Sequence, residues 1–538
     1  MDKAWYKEGV VYQIYPRSFY DSNNDGIGDL QGIIKKVPYL KALGVDIVWL
    51  SPVYKSPMED NGYDISDYQD IADIFGTMAD IKELIHIFHE NQIKIVMDLV
   101  INHTSSEHPW FKMSEQGLGK YKDYYHWEKQ KRNWSSFFGG EAWSYSNIRE
   151  EYYLHLFAKS QPDLNWDNQE VREDIKQMIK FWLDAGVDGF RCDVINIIAK
   201  NNQHPNGKFK PILRGSEHYF DNPKLHVYLQ ELYNDVFSKY DCFTVGETVF
   251  VNPKSASDLV NPERKELNML FQFDHMAADN YFVKWFIKKF KPINLKKALS
   301  KWQNELEGWN TLYLESHDQG RSISRFGDLN YYYESATLLA TIIYFQQGTP
   351  FIYQGQEIGM TNVSFDNLND YQDIETHNIY QLGRRLGFSH KRMMKKIKLM
   401  SRDNARTPMQ WDDSVNAGFS TQEPWLKVNP NYLTINVKAN INNEKSILKY
   451  YQKIISLRKT HEVIVYGDYT DIDYKLKYIY AYKRKLHESE LYVIANFSNK
   501  SRKIRDYEFL NSELILNNYD QLEVNVMKPY EARVYLKK

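Results

Sequence analysis

The chain has 538 residues, a net charge of -2, 43% hydrophobic and 15% aromatic residues. That supports a core larger than one small domain needs, and the near-neutral balance excludes the basic face that nucleic acid binding requires. Two cysteines, Cys192 and Cys242, exclude a disulfide framework and read as small buried hydrophobes in a reducing compartment.

The first segment, Met1 to Tyr6, carries no apolar signal region, and no apolar stretch is long enough to span a bilayer. Val10 to Tyr15 reads as a buried strand. The loop after it, Asp21-Ser22-Asn23-Asn24-Asp25-Gly26-Ile27-Gly28-Asp29, alternates oxygen ligands with a glycine for the turn, which suits Ca2+ or, in its place, Mg2+. Gly32 at the twelfth position excludes an EF-hand, and a cation-free turn held by Asx hydrogen bonds is the alternative. Further buried strands are expected at Asp46–Leu50, Ile93–Val100, Val187–Asp193, Cys242–Glu247, Met269–Phe273, Thr311–Leu314 and Pro350–Tyr353. Helices alternate with them. Ile81, Leu84, Ile85 and Phe88 share one face after a Thr77/Asp80 start, Ile175 to Trp182 repeats the spacing, and Leu295 to Leu306 follows Asn294.

Eight strands alternating with helices predict an α/β fold, a (β/α)8 TIM barrel. The absence of a Gly-rich phosphate fingerprint weakens a doubly wound sheet. Residues 104–167 are too long for a βα loop and too aromatic for a linker, so they predict an inserted subdomain after strand 3. Short strands at Lys477–Tyr482, Glu490–Asn496, Glu513–Leu516 and Ala532–Leu536 predict a C-terminal antiparallel β domain. The expected division is barrel 1–103 and 168–464, insertion 104–167, and a β-sandwich at 465–538.

Barrel enzymes place their chemistry at the C-terminal ends of the strands. There the chain carries Asp193, Glu247 and Asp318, with His103, Arg191 and His317 beside them. Two carboxyl groups flanking a glycosidic oxygen can break it, and a third can support the positive charge on the sugar. Arg191 and Asp193, two apart on a strand, face the same way, so Arg191 is expected to keep Asp193 ionised as a nucleophile. Glu247 has no basic neighbour in sequence, and an apolar pocket is expected to raise its pKa toward that of a general acid. His103 and His317 are candidates for holding sugar hydroxyls.

These segments resemble the α-amylase superfamily of glycoside hydrolases (glycoside hydrolase family 13), in its oligo-1,6-glucosidase branch. The resemblance is carried by Asp98–His103 (DLVINH), Gly189–Asp193 (GFRCD), Val245–Glu247 (VGE) and His317-Asp318. Gln161–Asn165 (QPDLN), Asn61–Tyr68, Gly348–Met360 and Ser401–Trp411 (SRDNARTPMQW) add to it. It implies a retaining, exo-acting α-glucosidase with Asp193 as nucleophile, Glu247 as acid/base and Asp318 as third carboxylate. Tyr63, His103, Arg191 and His317, with Phe157 as an aromatic wall, would line the cleaved-glucose subsite. Asp60 and Arg402 would grip the non-reducing end. Val194, after the nucleophile, goes with α-1,6 bonds in relatives, where Thr goes with α-1,4. Isomaltose, isomaltotriose and panose are the implied substrates. The loop would hold its cation through Asp21, Asn23, Asp25, the Ile27 carbonyl and Asp29. Relatives commonly have Asn at Ser316 and Pro at Gly320. Trehalose-6-phosphate hydrolase is the nearest rival, with Lys284 to Lys291, read as a solvated helix face, as its phosphate candidate. A broad-specificity maltase/sucrase-isomaltase, a sucrose isomerase and a non-catalytic binding relative stand further off. A cytoplasmic monomer acting on small oligosaccharides, with no nucleic acid or membrane partner, is the expected setting.

Overall fold

A computed structural model describes residues 3–210, 212–281, 283–505 and 507–538. Met1 and Asp2 of the expected N-terminal segment lie outside the described residues. Eight parallel strands form the TIM barrel sheet: β1 (Val11–Ile14), β2 (Ile47–Leu50), β3 (Lys94–Leu99), β4 (Gly189–Cys192), β5 (Phe243–Glu247), β6 (Met269–Phe271), β7 (Thr311–Leu312) and β8 (Thr349–Tyr353). Every residue of β1, β2, β4, β5 and β8 is buried, which explains their near-continuous apolar character. Helices with one apolar face alternate with the strands. Among them are α1 (Met78–Glu90), α2 (Gln169–Asp184), α3 (Pro253–Val260) and α4 (Pro292–Glu305). Thr77 and Asp80 close a capping box on α1. The last helix starts at Pro292 rather than after Asn294, because proline at N1 has no N–H to leave unpaired.

The chain packs as two compact units. The first comprises Met1–Val48, Phe273–Gln372 and Phe388–Lys538. In it β1 pairs with β8 in the register Val11↔Phe351, and β8 pairs with β7. The C-terminal antiparallel sheet belongs to this unit. It comprises β9 (Asp468–Ile472), β10 (Ile479–Leu486), β11 (Ser489–Asn496), β12 (Glu513–Asn517) and β13 (Ala532–Lys537), in the order β9-β10-β11-β13-β12. Fully buried Arg484 of β10 ties the sheet to its neighbours by donating to the carbonyls of Phe345, Ile464 and Gly467.

The second unit comprises Trp49–Gln272 and Asp373–Gly387. Here β3, β4, β5 and β6 lie side by side. The register sets Asp98 beside Arg191 and Arg191 beside Val245. The strands approach so closely that a Cβ on Gly189 would meet the Phe243 carbonyl at 2.3 Å. Between β3 and β4 the chain builds a three-stranded antiparallel sheet from Trp127–Glu128, Trp143–Ser146 and Glu151–Leu154. Cys192 is buried as expected, whereas Cys242 is partly exposed because it precedes β5 rather than lying in it.

Candidate active site

In the second unit, Arg191 organises a buried acidic cluster. Its Nη1 lies 2.5 Å from Asp98 Oδ1 and 2.6 Å from Asp193 Oδ1, and its Nη2 lies 2.7 Å from Glu247 Oε2. The guanidinium sits by the Trp49 and Tyr63 rings, 5.3 and 5.6 Å from their centroids. Trp49 also donates to Asp98 at 2.8 Å. The strand register explains the grouping, since Asp98 and Arg191 are direct neighbours and Asp193 is one pleat further on.

One electrostatic expectation is corrected here, that for Glu247. Burial raises the Asp193 pKa to about 6; Arg191 pulls it down, the Asp98 charge pushes it up, and a hydrogen bond with Glu247 lowers it. Burial outweighs the pairing with Arg191, yet a carboxyl at about 6 is still ionised at neutral pH. Asp98 is likewise raised to about 6 by burial, against the pull of Arg191. Glu247 does not sit in an apolar pocket. Arg191 touches it, and the backbone N–H of Val194 donates to its Oε2 at 3.1 Å. That N–H is aimed by unusual backbone: Val194 has φ 36 and ψ 40, a left-handed conformation rare for a β-branched residue.

Around this cluster stands a wall of rings. His103 is buried, and burial holds its pKa below the ordinary value. Its Nε2 meets the Tyr63 carbonyl at 3.0 Å, and Phe157 lies 5.1 Å from its ring. Gln161 donates to Asp60 Oδ2 at 3.2 Å and to the Tyr63 carbonyl at 3.3 Å. Beneath His103, the side chains of Lys200 and Asp163 pair at 2.8 Å with both fully buried. Lys200 also donates to Asn102, whose amide meets His103 Nδ1 at 3.2 Å.

In the first unit, Asp318 gathers three cationic or polarised partners. His317 Nε2 lies 3.2 Å from its Oδ2, while Arg402 Nη1 and Arg406 Nη2 lie 3.4 and 2.9 Å from its Oδ1. Burial alone would raise its pKa, but His317, Arg402 and Arg406 hold it well below the carboxylate range. Gln13 donates to His317 Nδ1 at 2.8 Å, which leaves the ring proton on Nε2, facing Asp318.

Sequence reasoning missed Asp98, Arg406, Gln13 and Lys200. A signal for Arg406 existed, since it lies four residues after Arg402 on one helical face. Asp98 opens the motif that ends in His103, but its inward direction emerges only from the register with Arg191. Ser316 accepts from the Asp318 N–H at 3.3 Å, a local turn bond. A Cβ on Gly320 would meet the Leu399 carbonyl at 2.9 Å, so close packing accounts for this glycine. The lysine run 284–291 forms turns and a bridge rather than a helix face, since Pro292 opens the helix only after it. Lys284 and Lys288 lie over the rings of Trp285 and Tyr281.

In the loop after β1, Asp21 Oδ1 accepts from the N–H groups of Asn23 and Asn24, and its Oδ2 from Gly26. Asp25 accepts from Ile27, and Asp29 from Ser22 and Gly32. The donor set is all hard oxygen, as a Ca2+ or Mg2+ site requires. These bonds are also the Asx turns that can hold the loop by themselves. No group of three or more His, Cys, Asp or Glu side chains able to hold a metal ion is found among the described residues.

The chain matches the family model for the alpha amylase catalytic domain over residues 13–467. It is 54% identical to the oligo-1,6-glucosidase of Parageobacillus thermoglucosidasius, with 99% of each chain covered. The oligo-1,6-glucosidase of Bacillus cereus is 50% identical, over 99% of this chain and all of that one. Among solved structures, trehalose-6-phosphate hydrolase of Bacillus licheniformis matches with a TM-score of 0.94 at 42% identity, covering 99% of this chain and 100% of that one.

Proposed function

Because the chain belongs to the alpha-amylase family of glycoside hydrolases, we propose that it is a retaining, exo-acting α-glucosidase that cleaves α-1,6 bonds of isomaltose, isomaltotriose and panose and releases glucose. The observation that carries the reading is the placement of the Asp193 and Glu247 carboxyl groups on the two terminal nitrogens of one guanidinium, 2.6 and 2.7 Å from Arg191. Two carboxyls held on one guanidinium suit the short separation of a retaining pair better than the wider one an inverting pair needs for its water. The full-length likeness to oligo-1,6-glucosidases supports the α-1,6 preference, together with Val194.

In this reading Asp193, ionised, attacks the anomeric carbon while Glu247 gives its proton to the leaving oxygen. Glu247 then takes a proton from water, whose oxygen displaces Asp193 from the sugar. Asp318, kept ionised by His317, Arg402 and Arg406, supports the charge on the ring as it develops. Asp60 and Arg402 grip the non-reducing end. Free Cys192 and Cys242 suit a reducing cytoplasm, where the protein acts as a monomer.

The test is glucose release from isomaltose, maltose, sucrose and trehalose-6-phosphate side by side, with Glu247→Gln as the control. Isomaltose should be cut fastest, and NMR should find the glucose released first as the α-anomer. Preference for trehalose-6-phosphate moves the assignment to that hydrolase, and a β-anomer removes the retaining pair.

The Asp21–Asp29 loop is proposed to hold Ca2+, or Mg2+ in its place, as a structural cation through Asp21, Asn23, Asp25, the Ile27 carbonyl and Asp29. Chelation should then lower the thermal midpoint, and added Ca2+ should restore it. An unchanged midpoint leaves the loop as a set of Asx turns.

A further inference from the structure

We propose that Phe250 is the stacking platform for the leaving sugar, the aglycone, and so a specificity-determining residue of this enzyme. The inference rests on the α-glucosidase reading and adds to it where the departing ring binds.

A single exposed phenylalanine ordinarily needs no explanation. Phe250 differs in three respects. It is 62% exposed, although it sits only three residues beyond Glu247 at the end of β5. It holds φ 58, a left-handed conformation that disfavours any bulky side chain and that collects at functional sites. It also ends a row of rings that leads from the glucose pocket. Phe157 packs on His103, Phe137 stacks on Phe157 at 5.1 Å and 11°, Phe220 stands edge-on to Phe137 at 6.3 Å, and Phe250 meets Phe220 at 5.5 Å.

The backbone on both sides is pinned, so the ring is held rather than splayed. Asn196 accepts from the Val249 N–H at 3.0 Å and donates to the Val249 carbonyl at 2.9 Å. Two residues beyond Phe250, Asn252 caps α3 through the N–H groups of Lys254 and Ser255. The segment between these anchors has little freedom, and its aromatic face is spent on solvent.

The chemistry supplies the occupant. Glu247 must protonate the leaving oxygen, so the leaving sugar begins within bonding reach of Glu247. Three residues of chain span at most about 10 Å, the width of one or two sugar rings. One face of a pyranose presents C–H bonds, which suit the negative face of an aromatic ring. An α-1,6 bond adds one rotatable carbon between the rings. The aglycone therefore stands further from the cut than in an α-1,4 substrate, where a platform beyond the acid can meet it.

The experiment compares kcat/KM for isomaltose with kcat/KM for α-glucosyl fluoride, whose leaving group is one atom and has no ring to stack. Phe250→Gly removes the ring and suits the positive φ, and Phe250→Trp keeps a platform. The isomaltose-to-fluoride ratio should fall about tenfold in Phe250→Gly, the size of one lost ring contact, and return toward wild type in Phe250→Trp. An unchanged ratio in Phe250→Gly overturns the proposal, as does a ratio lost equally in Phe250→Trp. Where the wild type prefers maltose or trehalose-6-phosphate, the α-1,6 reading fails on that result alone. The same ratio taken with the preferred sugar then decides for or against the platform.

Discussion

Val194 shows at single-residue scale how the site combines strain with function. A β-branched residue in left-handed backbone costs about 1–2 kcal/mol. In return its N–H points at Glu247 from the position directly after Asp193, while its buried side chain forms part of an apolar cluster with Leu156 and Tyr219. The backbone role belongs to any residue that holds this conformation, whereas the proposed choice of linkage would belong to the side chain. Val194→Thr keeps the branched shape and adds a hydroxyl to the wall. The isomaltose-to-maltose ratio of kcat/KM should therefore drop about tenfold or more, with catalytic competence retained on maltose. Equal loss on both sugars would assign Val194 to the backbone role alone. The sequence made Asp193 and Glu247 legible because each closes a short motif, and Val194 because it follows one. It concealed the left-handed turn, since nothing in valine's chemistry announces a positive φ.

The barrel strands that sequence reasoning located are those buried on both faces, where apolar residues run without interruption, and their observed ends fall within one or two residues of expectation, whereas β10 of the C-terminal sheet runs to Leu486, past the expected end at Tyr482. β9 escaped because it is an edge strand, Asp468–Ile472, largely polar and only half covered. The connection beneath His103 escaped for another reason. Lys200 and Asp163 lie in irregular segments 37 residues apart in the sequence, and no periodicity links them. Burial holds the Lys200 pKa below its ordinary value while Asp163 pulls it up, so each charge depends on the other. Asp163→Ala should cost roughly 3–5 kcal/mol in urea unfolding, because it strands a buried ammonium. Replacing both partners, with Lys200→Met and Asp163→Leu together, should recover most of that loss. If the double variant recovers stability but not activity, the pair serves to orient Asn102 and His103. If it recovers neither, the ion pair itself is required by the packing.

Across the whole molecule, buried carboxylates answer pH with opposite signs. Asp193 is raised to about 6 in the folded protein, against about 4 in an unfolded chain, so the folded state binds its proton more tightly. Its contribution therefore favours folding less and less as pH rises from about 4 through 6, and levels off above that window. Asp318 is held well below the carboxylate range, so its contribution is fully present above about pH 4 and is lost as pH falls through its folded pKa. Neutral variants separate the two. Asp193→Asn imitates the protonated acid, and its stability relative to wild type should grow by about 2 kcal/mol between pH 4.5 and 7.5. Asp318→Asn should be destabilised at pH 7.5, with the deficit shrinking on acidification below about pH 4. Urea midpoints for both variants and the wild type across pH 3 to 8 measure this directly. Asp193, the proposed nucleophile, would then be a net cost to the fold at the pH where it must be ionised to attack, while Asp318 offsets its burial through His317, Arg402 and Arg406. Parallel slopes for the two variants would mean that Arg191 offsets the burial of Asp193 in solution.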